Sequence, residues 1–159
     1  MKLYIKEKAI SVMDKFFVRN EKGDKKYEIR RKFEPAIGLK LHILDMDGNE
    51  LGYIKEKNIS LRPKFRIFIG GEHTATITKK VVSMRPKYEV EELGWKIKGN
   101  LIARDYKIVG KDGEVMNIHK GLLKLSDTFV LEFSDKKHVV EALAVIVAID
   151  YILDEKAED

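Results

Sequence analysis

One fourteen-residue pattern occurs four times in this chain without a gap. Ile5–Val18 reads IKEKAISVMDKFFV, Ile54–Ile67 reads IKEKNISLRPKFRI, Ile77–Val90 reads ITKKVVSMRPKYEV and Ile118–Leu131 reads IHKGLLKLSDTFVL. Recurrence this dense points to one supersecondary unit used repeatedly. Each copy opens on an isoleucine and a basic stretch, then reaches a corner at Asp14, Pro63, Pro86 or Asp127, residue types that preset or cap turns. An aromatic follows at Phe16, Phe65, Tyr88 or Phe129, and two residues on comes an aliphatic, Val18, Ile67, Val90 or Leu131. A period of two marks a strand with one face in a core, so each copy is a hairpin.

Between the copies lie Lys22-Gly23-Asp24, Asp47-Gly48, Gly70-Gly71, Gly94, Gly99-Asn100 and Asp112-Gly113, turn signals that close antiparallel hairpins. The marks divide the chain into twelve strand segments, near residues 3–7, 15–19, 26–30, 39–45, 50–56, 64–69, 73–79, 86–92, 94–99, 104–110, 114–120 and 128–133. Copies at unequal intervals do not make a solenoid. A closed antiparallel meander removes the exposed edges that so long a sheet would otherwise present.

The last segment differs in kind. Ser134-Asp135 offers an N-cap, and HVVEALAVIVAIDYIL follows from His138 to Leu153 with no Gly or Pro. Glu141 and Asp150 stand half a turn out of phase, so no rotation exposes both, and the Ala142–Ile149 run is too short to cross a bilayer. A helix apolar all round must be surrounded. These observations predict a mainly β fold over residues 1–159: a closed antiparallel barrel of about twelve strands (residues 3–133) enclosing a central hydrophobic C-terminal helix (residues 137–153), with Leu143, Ile146 and Val147 in the core and Asp150 reaching the barrel mouth to pair with a cation or a backbone donor.

The IKEK and SLRPKF hairpins, the turn Asp45-Met46-Asp47-Gly48-Asn49-Glu50-Leu51, Trp95-Lys96-Ile97-Lys98-Gly99-Asn100, Asp105-Tyr106-Lys107-Ile108 and the closing LAVIVAID helix together resemble the LURP-one-related family. That family is similar in fold to the tubby C-terminal domain and the phospholipid scramblases. The resemblance covers essentially the whole chain and implies a tubby-like twelve-stranded barrel around a central helix. It also implies association with phosphoinositides or other phospholipids. Against a scramblase-like role, the chain has no cysteine to palmitoylate and no added membrane-spanning length.

Absence of cysteine also excludes disulfides, thiolate metal sites and a cysteine nucleophile, and suits a reducing, cytoplasmic setting. The early charges Lys2, Lys6, Glu7 and Lys8 interrupt any signal-peptide core. His42, His73, His119 and His138 are scattered outside any triad motif, no ligand spacing suggests a metal, and the glycines serve turns, not a phosphate loop. We therefore expect no enzyme, no cofactor and no metal.

Charge is uneven. Residues 1–90 hold 21 Lys and Arg against 12 Asp and Glu, while residues 91–159 hold 10 against 14. Lys55, Lys57, Arg62, Lys64, Arg66, Lys79, Lys80, Arg85 and Lys87 crowd the second and third copies, with only Glu56 and Glu72 between them. They are the candidates for a basic face that docks on anionic phospholipid or phosphoinositide headgroups as a peripheral contact. Ile59, Leu61, Val82 and Met84, beside those cations, either plug the barrel end or tip into lipid. The alternative is a protein-interaction or scaffold domain whose charge serves solubility. Nucleic-acid binding through Lys64, Arg66 and outward Phe68 is a weaker possibility.

Overall fold

The structure, a computed structural model, describes residues 1–35, 38–57, 64–82 and 85–158. It contains twelve antiparallel strands: β1 (Lys2–Lys6), β2 (Lys15–Arg19), β3 (Lys25–Glu34), β4 (Gly38–Leu44), β5 (Glu50–Lys57), β6 (Lys64–Ile69), β7 (Glu72–Val82), β8 (Arg85–Glu91), β9 (Trp95–Asn100), β10 (Asp105–Gly110), β11 (Gly113–Lys120) and β12 (Thr128–Phe133). They form a meander that closes when β1 pairs along its length with β12, from Lys2↔Glu132 to Lys6↔Thr128. Alternation is strict enough to line the lumen. Ile5, Val18, Ile43, Ile67, Ile108 and Leu131, from six different strands, are all fully buried.

Helix α2 (Val139–Glu158) fills that lumen. Ala142, Leu143, Ala144, Val145, Ile146, Ala148 and Ile149 have no exposed surface, and Val147 has 2%. Lumen and helix share one continuous hydrophobic core. The expected cap lies upstream of the helix itself: Asp135 Oδ1 accepts from the backbone N–H of Lys137, forming a turn, and the helix begins at Val139.

At the first copy the repeat misleads. Copies one and two share IKEK, yet β5 runs through Lys57 whereas the first copy leaves its strand at Lys6 for helix α1 (Glu7–Val12). Ala9 and Ile10 on that helix are buried, and the Met13 N–H bonds back to Ala9 O at 3.1 Å. Where the second copy has Asn58, the first has Ala9, the best helix former, so burial and propensity favour a turn of helix there. Consequently β1 and β2 share a single register pair, Tyr4↔Arg19, whereas every other seam carries at least two.

A meander sends alternate connections to opposite ends. Helix α1, residues 101–104 and residues 121–127 gather at one rim with the ends of β3, β5 and β7, and the C-terminal part of α2 also emerges there. We call it the exit rim.

Candidate anion-docking face

On the outer surface of β3–β6, register places cations directly opposite one another. Lys32 pairs with Lys40, Lys40 with Lys55, and Lys55 with Arg66. Their strand neighbours Ile54, Phe65 and Ile67 are buried, which turns Lys55 and Arg66 outward. Adjacent strands lie about 4.8 Å apart, and like charges facing each other at that spacing destabilise a sheet. Among the described residues, Lys32, Lys55 and Arg66 form no ion pair. Lys40 Nζ lies 4.3 Å from the Tyr53 ring centre. Beyond Arg66 the row ends in Thr76 and then Glu91.

One row further from the rim, His42, Tyr53, Phe68 and His73 face one another across β4–β7. Tyr53 and Phe68 stack at 4.6 Å, and His73 Nε2 meets Thr76 Oγ1 at 2.8 Å. Each ring is packed against the next. Tyr53 has Phe68 and Lys40 on its ring, so the strip braces the sheet and offers little open π-surface for a base.

The nine cations of the second and third copies do not form one face. Lys55 and Arg66 are together, and Lys57 is opposite Lys64 in the next row toward the exit rim. Lys79 shares the inward phase of Ile77 and pairs with buried Tyr88, so it belongs to the lumen side. Lys80 is opposite Lys87, and Arg85 is opposite Val82, between β7 and β8. Arg62 lies outside the described residues, as do Ile59, Leu61 and Met84. The side chains of Lys57, Lys64, Lys80 and Arg85 are likewise outside what the structure describes. Lys32 and Lys40, absent from the sequence reading, belong to the uncopied strands β3 and β4. Only the hairpin register Lys32↔Lys40 joins them to Lys55.

The cation row runs close behind the exit rim, and apolar side chains project from that rim. Phe33 is 70% exposed, Leu123 is 92% exposed, and Met13, Ile102, Leu122 and Leu125 are exposed as well. Among the described residues, the exposed large apolar side chains at the opposite rim are Met1 and Met46.

Inside the exit rim, Asp150 is buried on α2, and its Oδ1 accepts from Arg104 Nε at 2.9 Å. Arg104 holds a left-handed backbone (φ 53°) in the β9–β10 turn, and its Nη1 donates to Ile102 O. Beside them Tyr106 is buried, and its hydroxyl is pushed far above the usual tyrosine range by burial first and by the Asp150 charge second, with Arg104 opposing. A cavity of about 230 Å³ opens there, lined by Glu7, Lys120, Phe129 and this pair, with Lys120 bonded to Glu7 at 3.0 Å.

Each histidine is engaged locally. His42 contacts Glu50, His119 reaches Glu132 at 3.3 Å, and His138 packs edge-on to Trp95. Among the described residues no three His, Asp or Glu converge as cation ligands, and no helix is long and apolar enough to cross a membrane.

The LURP-one-related profile matches residues 1–150. The chain is similar to the uncharacterized protein YxjI of Bacillus subtilis (strain 168), at 27% identity over 153 residues, covering 96% of this chain and 94% of that one. A solved X-ray structure of an Arabidopsis thaliana protein superposes with a TM-score of 0.61 at 16% identity, over 98% of this chain and 91% of the other, a likeness of fold.

Proposed function

The chain belongs to the LURP-one-related family, and from that premise we propose that it is a non-enzymatic docking module that meets anionic phospholipid headgroups with the exit rim and the β3–β6 cation row behind it. One observation carries the reading: Lys32, Lys40, Lys55 and Arg66 stand opposite one another with no acid interleaved. A sheet whose charge served only solubility would gain by alternating signs at these positions. Exposed Phe33, Ile102, Leu122 and Leu123 favour lipid over a soluble polyanion, because apolar tips gain by entering the interface while nearby cations meet headgroups. Phosphoinositides are one headgroup class such a row would accept.

Co-sedimentation with phosphatidylcholine vesicles, with and without phosphatidylserine, across a salt series tests this. Binding should require the anionic lipid and fade with ionic strength. At about 1 kcal/mol per cation near the surface, losing Lys55 and Arg66 costs on the order of 30-fold in partitioning, and Lys55→Glu/Arg66→Glu should cost at least that. Failure of the wild type to sediment with phosphatidylserine at low salt overturns the reading. Binding to a DNA oligomer but not to vesicles assigns the row to nucleic acid. Binding to neither leaves the scaffold role.

A further inference from the structure

Past β12 the chain turns into the lumen as α2, at the rim opposite the exit rim. Residues 134–138 make that turn beside the β10–β11 hairpin, pinned by the Ser134 N–H on Val115 O at 3.0 Å. A cavity of about 380 Å³ lies between them, within the size range of small-molecule sites. Its most deeply buried lining residue is Trp95, 4% exposed, with the half-buried Leu93 and Val115 beside it.

Trp95 brings an open donor to this space. A buried indole N–H ordinarily finds an acceptor. That of Trp95 finds none among the described residues, and it is not sealed from solvent, since the sealed side-chain atom without a partner there is Tyr88 Oη. Gly110, which also lines the cavity, leaves the N–H edge uncovered. A Cβ at that position would stand 3.3 Å from Nε1 and 3.2 Å from Cδ1, and the Gly110 φ is not positive, so room for the indole is what this glycine supplies. The positive end of α2 borders the same space through His138, whose carbonyl accepts from the Ala142 N–H at 3.0 Å, which makes it the N-cap. Charged side chains of both signs complete the lining. Among the described residues, Lys111, Lys137, Asp112, Glu114 and Asp135 form no ion pair. Glu114 and Asp135 accept from neutral donors, Asn117 Nδ2 at 3.0 Å and the Lys137 backbone N–H at 2.8 Å, which leave their charge in place.

Opposite charges that line one cavity without pairing complement a molecule that carries both. We propose that this cavity binds a small zwitterion, an α-amino acid with an apolar side chain. Its carboxylate meets the Trp95 N–H, Lys137 and the α2 end, its ammonium meets Asp112 and Glu114, and its side chain lies on Leu93 and Val115. A bare carboxylate would have those acids set against it. A simple amine would leave the indole N–H without an acceptor and face both lysines. The site lies at the far end of the barrel from the exit rim and does not rest on the docking reading.

Trp95 is the only tryptophan of the chain, so its fluorescence reports directly on the site. Titration of the full chain with L-leucine, L-methionine and L-phenylalanine tests the assignment, with calorimetry for stoichiometry. At least one should saturate at one per chain while shifting the Trp95 emission. The N-acetyl derivative of that amino acid, which lacks the ammonium, and its amide, which lacks the carboxylate, should each bind roughly tenfold or more weakly. Lys111→Gln/Lys137→Gln and Asp112→Asn/Glu114→Gln, all at exposed positions, should each lower affinity by a similar factor. Trp95→Phe, read by calorimetry, should do the same through the lost N–H. Thermal melting checks that the variants stay folded. Lys55→Glu/Arg66→Glu should bind the amino acid like wild type, which keeps this result distinct from vesicle docking. No saturation with any of the three, an unmoved Trp95 emission on binding, equal binding of the acetylated or amide form, or undiminished affinity in the folded lysine and acid variants would each overturn the proposal.

Discussion

The Arg104–Asp150 pair fastens the helix to the wall around it, and its worth can be worked out before measurement. Both partners are shielded, with side chains 18% and 7% exposed, and Nε and Oδ1 are 2.9 Å apart. Arg104→Ala strips a guanidinium from a carboxylate that stays buried among apolar helix residues. Removing one partner of a buried pair costs about 3–5 kcal/mol, mostly the desolvation of the charge left behind. The backbone allows a sharper test. Alanine at φ 53° keeps the strain of the left-handed region and glycine does not, so Arg104→Gly should be about 1 kcal/mol less destabilising than Arg104→Ala. Removing both charges, as Arg104→Met/Asp150→Leu, should return stability to within about 1 kcal/mol of wild type, because hydrophobic residues of similar volume often replace a buried pair at little cost. Urea unfolding followed by far-ultraviolet circular dichroism reads all of these, and a loss of 3–5 kcal/mol lowers the midpoint by about 1–3 M. A loss below about 1 kcal/mol for Arg104→Ala, or a double variant as weak as the single, would refute the account of Asp150 as a charge held by its partner.

Tyr106 sets a limit at high pH. Its folded-state pKa lies above the unfolded value near 10, so its contribution is intact below that value and is lost as pH rises past it. Stability should fall above about pH 10, and Tyr106→Phe should fall less steeply, although Tyr88 and Tyr27, also raised by burial, share the trend; superimposable profiles count against it. At Gly52 a Cβ would come within 2.7 Å of both Phe68 O and Ile69 Cδ1. Gly52→Ala should therefore cost about 1–3 kcal/mol by overpacking the β5–β6 pair, and an unchanged melting temperature would contradict that geometry.

The staves of the barrel were readable from sequence because period-two burial and turn residues are local signals. Phe16, Phe65, Tyr88 and Phe129, aligned by the repeat, are all buried. The surrounded helix was readable for a related reason, since Glu141 and Asp150 left it no polar face. What resisted reading depends on register between strands. Lys79 sits among cations in the sequence, but the β7 phase sends it inward with Ile77, and Lys32 and Lys40 join the row only through the β3–β4 hairpin. Helix α1 escaped because the repeat invites one reading for all copies, and the divergence at Ala9 shows only once burial is known. The one-pair β1–β2 seam follows from α1, so it was invisible too.

The strand that closes the ring and the rod at its centre both come after nearly everything they must hold. β1 is joined to β12 across well over a hundred residues, and α2 follows every stave. During synthesis the early hairpins must therefore wait with their lumen-facing Ile and Phe side chains exposed until the final segment arrives. Such long-range closure folds slowly and leaves intermediates prone to association. The abundant lysines on those early strands carry a second benefit in that interval, keeping half-built neighbours apart until the centre is delivered.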